Sequence, residues 1–280
     1  QHGDAQWAKL RHRFLNELYW AAAVVCGYAD LIPMEPAYHG LLCRFLERKT
    51  GVPELDTALY RKVETPREVG KTSLASVVRS IQLLCGDPDI AIMIANEKQE
   101  NAMKMLSEIK RHFLNNEFLR ALFPEVCPED DQTTDKWSQT EISIKRTTTR
   151  KEPSISVVGV GSALASMHYD KLLIDDPISR EAMENARSGS WHIMHEVNRW
   201  IHQLEPLLSW SAKEPEILFI GTRWWHGDSY EHIEEAYGYG EPKRTYALRL
   251  KLPDGSIQQV LAYRVGDLAV FRRAGIEDGR

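Results

Sequence analysis

Gly70, Lys71 and Thr72 close the run Thr65-Pro66-Arg67-Glu68-Val69-Gly70-Lys71-Thr72-Ser73, a combination suited to holding the phosphates of a nucleotide. The glycine lets backbone amides come close to phosphate, the lysine meets the outer phosphates, and the Thr72 hydroxyl ligates magnesium. Downstream, Asp175 and Asp176 end the apolar run Leu172-Leu173-Ile174. Two adjacent carboxylates at a strand end suit phosphoryl transfer, which needs positioning and charge neutralisation more than covalent chemistry. Asp175 is expected to hold magnesium, directly or through water, and Asp176 to orient or deprotonate the attacking water. A third segment, Gly221-Thr222-Arg223, ends another apolar run and offers a hydroxyl and a guanidinium to a γ-phosphate. The competing readings are a capped helix start with a chance Gly-Lys-Thr, an N-terminal cap at Asp176, and a turn with a surface arginine.

Such groups need a frame that gathers strand ends along one edge. The periodicity predicts a helical arm over 5–25, a helix over 38–46 and a strand over 59–63. A helix over 72–85, a strand over 90–95 and a helix over 99–114 follow, with a helical continuation to Phe123. Residues 128–135 read as an acidic surface loop, and short strands over 141–144 and 154–158 flank a basic tract. Buried-type strands over 171–174 and 217–220 both stop at polar residues, where an open α/β sheet places its ligand site. This alternation predicts an α/β fold with a mainly parallel sheet flanked by helices. Beyond Trp225 the pattern weakens into a helix over 230–237 and strands over 246–250 and 259–263, expected to form a small lid or linker. The divisions are therefore 1–53 for the arm, 54–225 for the core and 226–280 for the lid.

Composition narrows the classes. With 280 residues, 43% of them apolar, the chain can bury one large core, or one core plus a smaller appendage. A formal net charge of −5 argues against a uniformly basic nucleic-acid coat, leaving room for a local basic patch. Cys26, Cys43, Cys85 and Cys127 lie far apart with no Cys-x-x-Cys pair, which suggests neither zinc nor a disulfide framework and fits a reducing cytoplasm. The apolar run 21–26 is far shorter than the ~18 residues of a membrane span. His192, His195 and His202 lack the spacing of a metal motif and are expected to be surface or packing residues. The tryptophans at 191, 200, 210, 224 and 225 are expected to be core and interface anchors.

Four stretches together resemble the large terminase ATPase domains of tailed phages, over about residues 36–237. They are Pro66-Arg67-Glu68-Val69-Gly70-Lys71-Thr72; Leu119-Arg120-Ala121-Leu122-Phe123-Pro124; His168-Tyr169-Asp170-Lys171-Leu172-Leu173-Ile174-Asp175-Asp176-Pro177; and Gly221-Thr222-Arg223-Trp224-Trp225-His226. The resemblance implies an ASCE-type P-loop NTPase that hydrolyses ATP with Mg2+ and drives double-stranded DNA into a procapsid. It implies a variant Walker A loop whose Arg67 senses or stabilises phosphate, a Walker B pair at Asp175 and Asp176, an adenine-binding element at Pro36-Ala37-Tyr38-His39, and a coupling motif at Thr222. The implied partners are DNA, a portal protein and a small terminase subunit. The implied assembly is a homo-oligomeric ring, in the host cytoplasm and transiently on the procapsid.

Two features depart from that pattern. Thr65 stands where a first glycine is usual, and Ser166-Met167 stand where related sequences often carry Gly-Arg. The trans-acting arginine is therefore open among Arg150, Arg180, Arg187 and Arg223. Full-length members continue into a nuclease, expected here only in a C-terminal domain outside this chain. Lys145, Arg146, Arg150 and Lys151 bracket three threonines and suit contact with a DNA backbone, or equally a solvated loop. Alternative functions are another nucleic-acid ATPase such as a helicase, and a non-catalytic assembly subunit that keeps the fold.

Overall fold

Short runs of aliphatic residues, too apolar to lie at a surface, form the parallel centre of a sheet. The computed structural model describes residues 2–130, 136–164, 167–223 and 227–272. Strands β1 (Tyr60–Glu64), β2 (Ile92–Asn96), β4 (Ile155–Gly159), β5 (Lys171–Asp175) and β6 (Glu216–Gly221) all run the same way. A short β3 (Glu141–Ile142) pairs antiparallel with β4 at one edge. Three further strands, β7 (Arg244–Lys251), β8 (Ile257–Val265) and β9 (Leu268–Arg272), complete a nine-stranded sheet of order β3-β4-β2-β5-β6-β1-β9-β8-β7.

Side chains of the central strands alternate between two cores. Leu173, Leu218 and Ile220 enter one, with Phe14, Leu42, Phe45, Leu106 and Phe113 from the covering helices. Leu172, Ile174, Ile217 and Phe219 enter the other, with Met183, Trp200, Ile201 and Ile233. The first face is covered by α1 (His2–Asn16), α3 (Pro36–Leu46), α5 (Arg79–Gly86), α6 (Gln99–Asn115) and α7 (Glu117–Leu122), the two intervening helices α2 (Leu18–Trp20) and α4 (Pro53–Asp56) being short. The second is covered by α8 (Arg180–Arg187), α9 (His192–Ile201) and α10 (Ser229–Gly238). Helices on both faces of a mainly parallel sheet agree with the expected α/β class.

The structure departs from expectation in four places. The helix after the phosphate loop is π-helical over Ser73–Val78 before continuing as α5, and the arm likewise passes into a π-helical stretch at Ala21–Val25. Residues after 226 were expected to be a lid or linker, yet β9 pairs parallel with β1 along its whole length, so these strands extend the central sheet. Trp210, expected as an anchor, is 93% exposed. Trp200 does anchor, buried with its indole donating to the Ser162 carbonyl at 3.2 Å. Trp224, Trp225 and His226 lie outside the described residues, as does the end of the acidic loop. Among the described residues, no helix is long and apolar enough to cross a membrane.

Phe271 tests how firmly the last strand belongs to the sheet. It is fully buried, with its ring centroid 5.5 Å from that of Phe45 and 6.1 Å from that of Tyr38. Phe271→Ala is expected to lower stability by about 3–5 kcal/mol in one cooperative urea transition. A loss below about 1 kcal/mol, within the range of surface substitutions, would restore the picture of a detachable lid.

Candidate functional site

Three parallel strands end side by side and carry the predicted groups with them. In register, Glu64 at the end of β1 faces Gly221 of β6, and Asp175 at the end of β5 faces Ile220 of β6. The loop after β1 is tied to β6 by the Thr65 amide donating to the Gly221 carbonyl at 3.0 Å. It then turns through a left-handed Glu68 (φ 64°) and Gly70 (φ 70°) into the helix. A Cβ at position 70 would sit 2.6 Å from the Ile32 side chain, so sterics as well as backbone angle favour glycine there.

Lys71 is nearly buried, and its Nζ lies 3.2 Å from Asp176 Oδ2 and 3.2 Å from Thr222 Oγ1. The Thr222 hydroxyl in turn donates to the Thr65 carbonyl at 3.0 Å. Residues from three separate segments thus meet at one ammonium. Asp176 holds a left-handed backbone (φ 43°), uncommon for a non-glycine residue. Two backbone bonds secure it: its amide donates to Ile220 O at 2.8 Å, and its carbonyl accepts from the Glu97 amide at 3.2 Å.

Asp175 is fully buried. Its Oδ2 accepts from the Ser76 hydroxyl at 2.8 Å, and its backbone carbonyl accepts from the Asn96 amide group at 2.8 Å. Its Oδ1 is buried without a hydrogen-bond partner. Burial first, then the neighbouring Asp176, pushes its carboxyl up to about 7, against the opposing pull of Ser76, Lys71 and Thr72. An unmatched oxygen on a buried carboxylate beside a threonine hydroxyl is chemistry that suits a hard divalent cation.

The remaining predicted residues divide. His39 reaches the loop, its Nε2 lying 3.0 Å from the Val69 carbonyl, while its Nδ1 pairs with the Glu35 amide at 2.8 Å. Tyr38 turns into the core, edge-on to His39 and tilted against Phe271, so its ring is not presented at the surface. Pro66 is half-buried, while Arg67 and Glu68 stand exposed on the loop. Ser73 bonds Tyr28. Arg223 pairs with Glu231 at 3.1 Å, and the exposed Arg180 pairs with Glu184 at 2.8 Å, while Arg187 is exposed on α8.

The basic tract lies at the opposite edge of the sheet, where the strands begin. Arg146 donates to the Ile90 carbonyl at 3.0 Å and to the Glu152 carbonyl. Arg150 pairs with Asp170 and Glu152 and donates to the carbonyls of Asp89 at 3.1 Å and His168 at 3.0 Å. Both arginines therefore pin strand entrances rather than project outward. Lys145, 3.6 Å from Glu129, and Lys151 remain exposed. Arg150 is thus held within its own chain by two carboxylates and two carbonyls.

Ser76, Asn96 and Tyr230 belong to the site and went unpredicted. Tyr230 is fully buried, its hydroxyl donating to Ile220 O at 3.3 Å. A Cβ at Gly221 would lie 1.5 Å from that hydroxyl, so the glycine is needed for the ring to pass beneath the strand end. A hydrophilic residue four positions after Thr72 on the covering helix was the available signal for Ser76. Tyr230 had none.

The sequence matches no protein-family model and no curated protein. Among solved structures the chain is similar to the N-terminal domain of the DNA packaging ATPase from bacteriophage phi29, with 11% identity and a TM-score of 0.43, covering 80% of this chain and 94% of that one. It is also similar to the phi28 gp11 DNA packaging motor, with 14% identity and a TM-score of 0.37, covering 79% of this chain and 58% of that one.

The raised carboxyl of Asp175 has a measurable consequence. Because the folded state holds this proton more tightly than the unfolded chain, stability falls as pH rises from about 4 through about 7 and levels off above. Asp175→Asn removes that slope. Relative to the unsubstituted chain, the variant is expected to gain on the order of 2–4 kcal/mol at pH 8 and almost nothing at pH 4. Urea unfolding of both proteins across that range decides it, and parallel pH profiles would show that Asp175 is not held protonated.

Proposed function

We propose that the chain is the ATP-hydrolysing motor of viral DNA packaging, of the large terminase type. The observation that carries this reading is the convergence of Lys71, Asp176 and Thr222 within 3.2 Å contacts at the ends of three adjacent strands. Strand β6 lies between the loop strand β1 and the acidic strand β5, so Thr222 at its end sits between the loop and the acids. Two inter-strand spacings set the backbones of β1 and β5 about 10 Å apart, a gap that Lys71 and Asp176 span by meeting at 3.2 Å.

Lys71 now leans on Asp176 and Thr222. An arriving triphosphate offers the ammonium a stronger partner, which frees both. Asp176 then accepts a hydrogen bond from the attacking water, whose oxygen bonds to the γ-phosphorus as the bond to the ADP oxygen breaks. Thr72 and the unmatched oxygen of Asp175 are the groups to hold Mg2+, which would neutralise charge on the phosphates when bound. Release of Thr222 from Lys71 passes the state of the nucleotide to the end of β6, the place of the coupling motif. Arg67, exposed on the loop, is the arginine that the resemblance assigns to the outer phosphate, and His39 steadies Val69 beneath it.

Double-stranded DNA, a portal protein and a small terminase subunit are the partners proposed from the resemblance, with the chains assembled as a homo-oligomeric ring. With Arg146 and Arg150 committed inward, the exposed cations of the tract are Lys145 and Lys151.

The test is magnesium-dependent ATP turnover at high protein concentration, with and without duplex DNA. Lys71→Ala and Asp176→Ala are each expected to reduce turnover by about 10²–10⁴-fold, with ATP binding lost in the first and kept in the second. ATP that neither binds nor is cleaved would end the reading. Turnover accompanied by strand separation on a forked duplex would replace the packaging motor with a helicase.

A further inference from the structure

At the edge of the sheet opposite the phosphate loop lies a cavity of about 790 Å³, between the C-terminal end of α5, the entrances of β2, β4 and β5, and the segment before β6. Its floor carries Arg79 and Lys171, which are 8% and 4% exposed. Behind them stand Arg48 and the fully buried Arg61. Glu216 and Glu47 are the buried carboxylates set against these four cations, with Glu214 acting on Arg79 and Lys171 from the exposed rim. Glu216 lies 2.9 Å from Arg61, 3.5 Å from Arg48 and 3.8 Å from Lys171. Glu47 already pairs with Lys49 at 3.6 Å and accepts from Gln82 at 2.9 Å.

The imbalance appears in individual atoms. Lys171 Nζ is buried without a hydrogen-bond partner, and so is Arg79 Nε, the Arg79 guanidinium spending one N–H on Gln82 at 2.5 Å. Buried cations are normally paired, because an ammonium or guanidinium loses its hydration on burial. The acids at the rim do not supply the deficit. Asp170 and Glu152 are taken by Arg150, Asp89 accepts from Thr147 and Thr148, Asp87 faces Lys213 at 3.9 Å, and Glu214 is exposed to solvent. Burial, only partly opposed by Glu216, pushes the Lys171 ammonium down to about 8.

We infer that this cavity is a second anion site, binding a small phosphate-class oxyanion between the Lys171 ammonium and the Arg79 guanidinium. Both unmatched donors lie just beneath the cavity surface, and a small turn of each side chain toward such an ion gives them acceptors and offsets the excess positive charge. The recessed floor favours a free anion over a phosphodiester, whose flanking sugars would meet the rim first. This inference does not depend on the phosphate loop being an ATP site.

Inorganic phosphate is the probe, titrated by calorimetry and thermal melting into the full chain carrying Lys71→Ala, so that the loop does not contribute. Phosphate is expected to bind and raise the Tm of that chain. Adding Lys171→Met should weaken binding at least tenfold and abolish the Tm rise, while the melting temperature without phosphate stays the same or increases. A lysine that only braces the fold would instead lower the phosphate-free Tm when replaced. Arg79→Lys, which keeps charge but loses the forked donors, should weaken binding by a smaller factor. The inference is overturned if the Lys71→Ala chain is folded and does not bind phosphate, if Lys171→Met leaves binding unchanged, or if a short duplex binds at Lys171 and phosphate does not.

Discussion

The parallel register of β1, β6 and β5 is the constraint on which the site depends. Backbone hydrogen bonds set Glu64 beside Gly221 and Ile220 beside Asp175, so the chain must turn away from the sheet at one edge in all three strands. Everything chemical follows within a few residues of those endings. Slipping one strand by a single residue would exchange its two faces, moving Leu173 or Leu218 out of one core and into the other. The apolar packing that fixes the register therefore fixes the geometry of the candidate site as well, and the loop after β1 needs only short contacts to complete it. Thr65 donating to Gly221 and accepting from Thr222 is such a contact, with both of its bonds reaching the same neighbouring strand.

A strand end is also where a buried carboxylate can be kept. Asp175 loses its water, but Ser76 and Asn96 steady it from the covering helix and from β2. The left-handed turn at Asp176 aims the next carboxylate the other way, half-exposed and against Lys71. Adjacent acids thereby acquire different environments, one dry and one wet.

The sequence disclosed the strands through their apolar runs, and it disclosed the loop and the acidic pair because small and charged residues at apolar strand ends have few other uses. It did not disclose β9. Leu268 to Phe271 is a short apolar run near the end of a polar stretch, and its pairing with β1 spans about two hundred residues, a relationship no local pattern encodes. The inward turn of Arg146 and Arg150 was hidden for a similar reason. A basic tract reads as a surface until Asp170, Glu152 and the carbonyls of Asp89 and Ile90 are brought to it by the fold. Tyr230 became visible only with the absence of a side chain at Gly221, across a gap of nine residues and a change of layer. What stayed hidden was long-range partnership, not element type.

Strand β5 shows how much the fold concedes to chemistry. Its five residues are all buried, and ionisable groups stand at both ends, Lys171 and Asp175. Burial moves each toward its neutral form, the lysine downward and the aspartate upward. Only Leu172, Leu173 and Ile174 lie between them, contributing about 1.5–3 kcal/mol each from removal of their side chains from water. A strand chosen for stability alone would be apolar throughout, because replacing buried ions by well-packed apolar groups is often neutral or stabilising. Keeping a poorly partnered cation at one end and an incompletely bonded acid at the other makes sense if each end meets a ligand. The cation faces a cavity and the acid faces the phosphate loop, so the two edges of one sheet are suited to opposite charges: an anion where the strand begins, and a divalent cation where it ends.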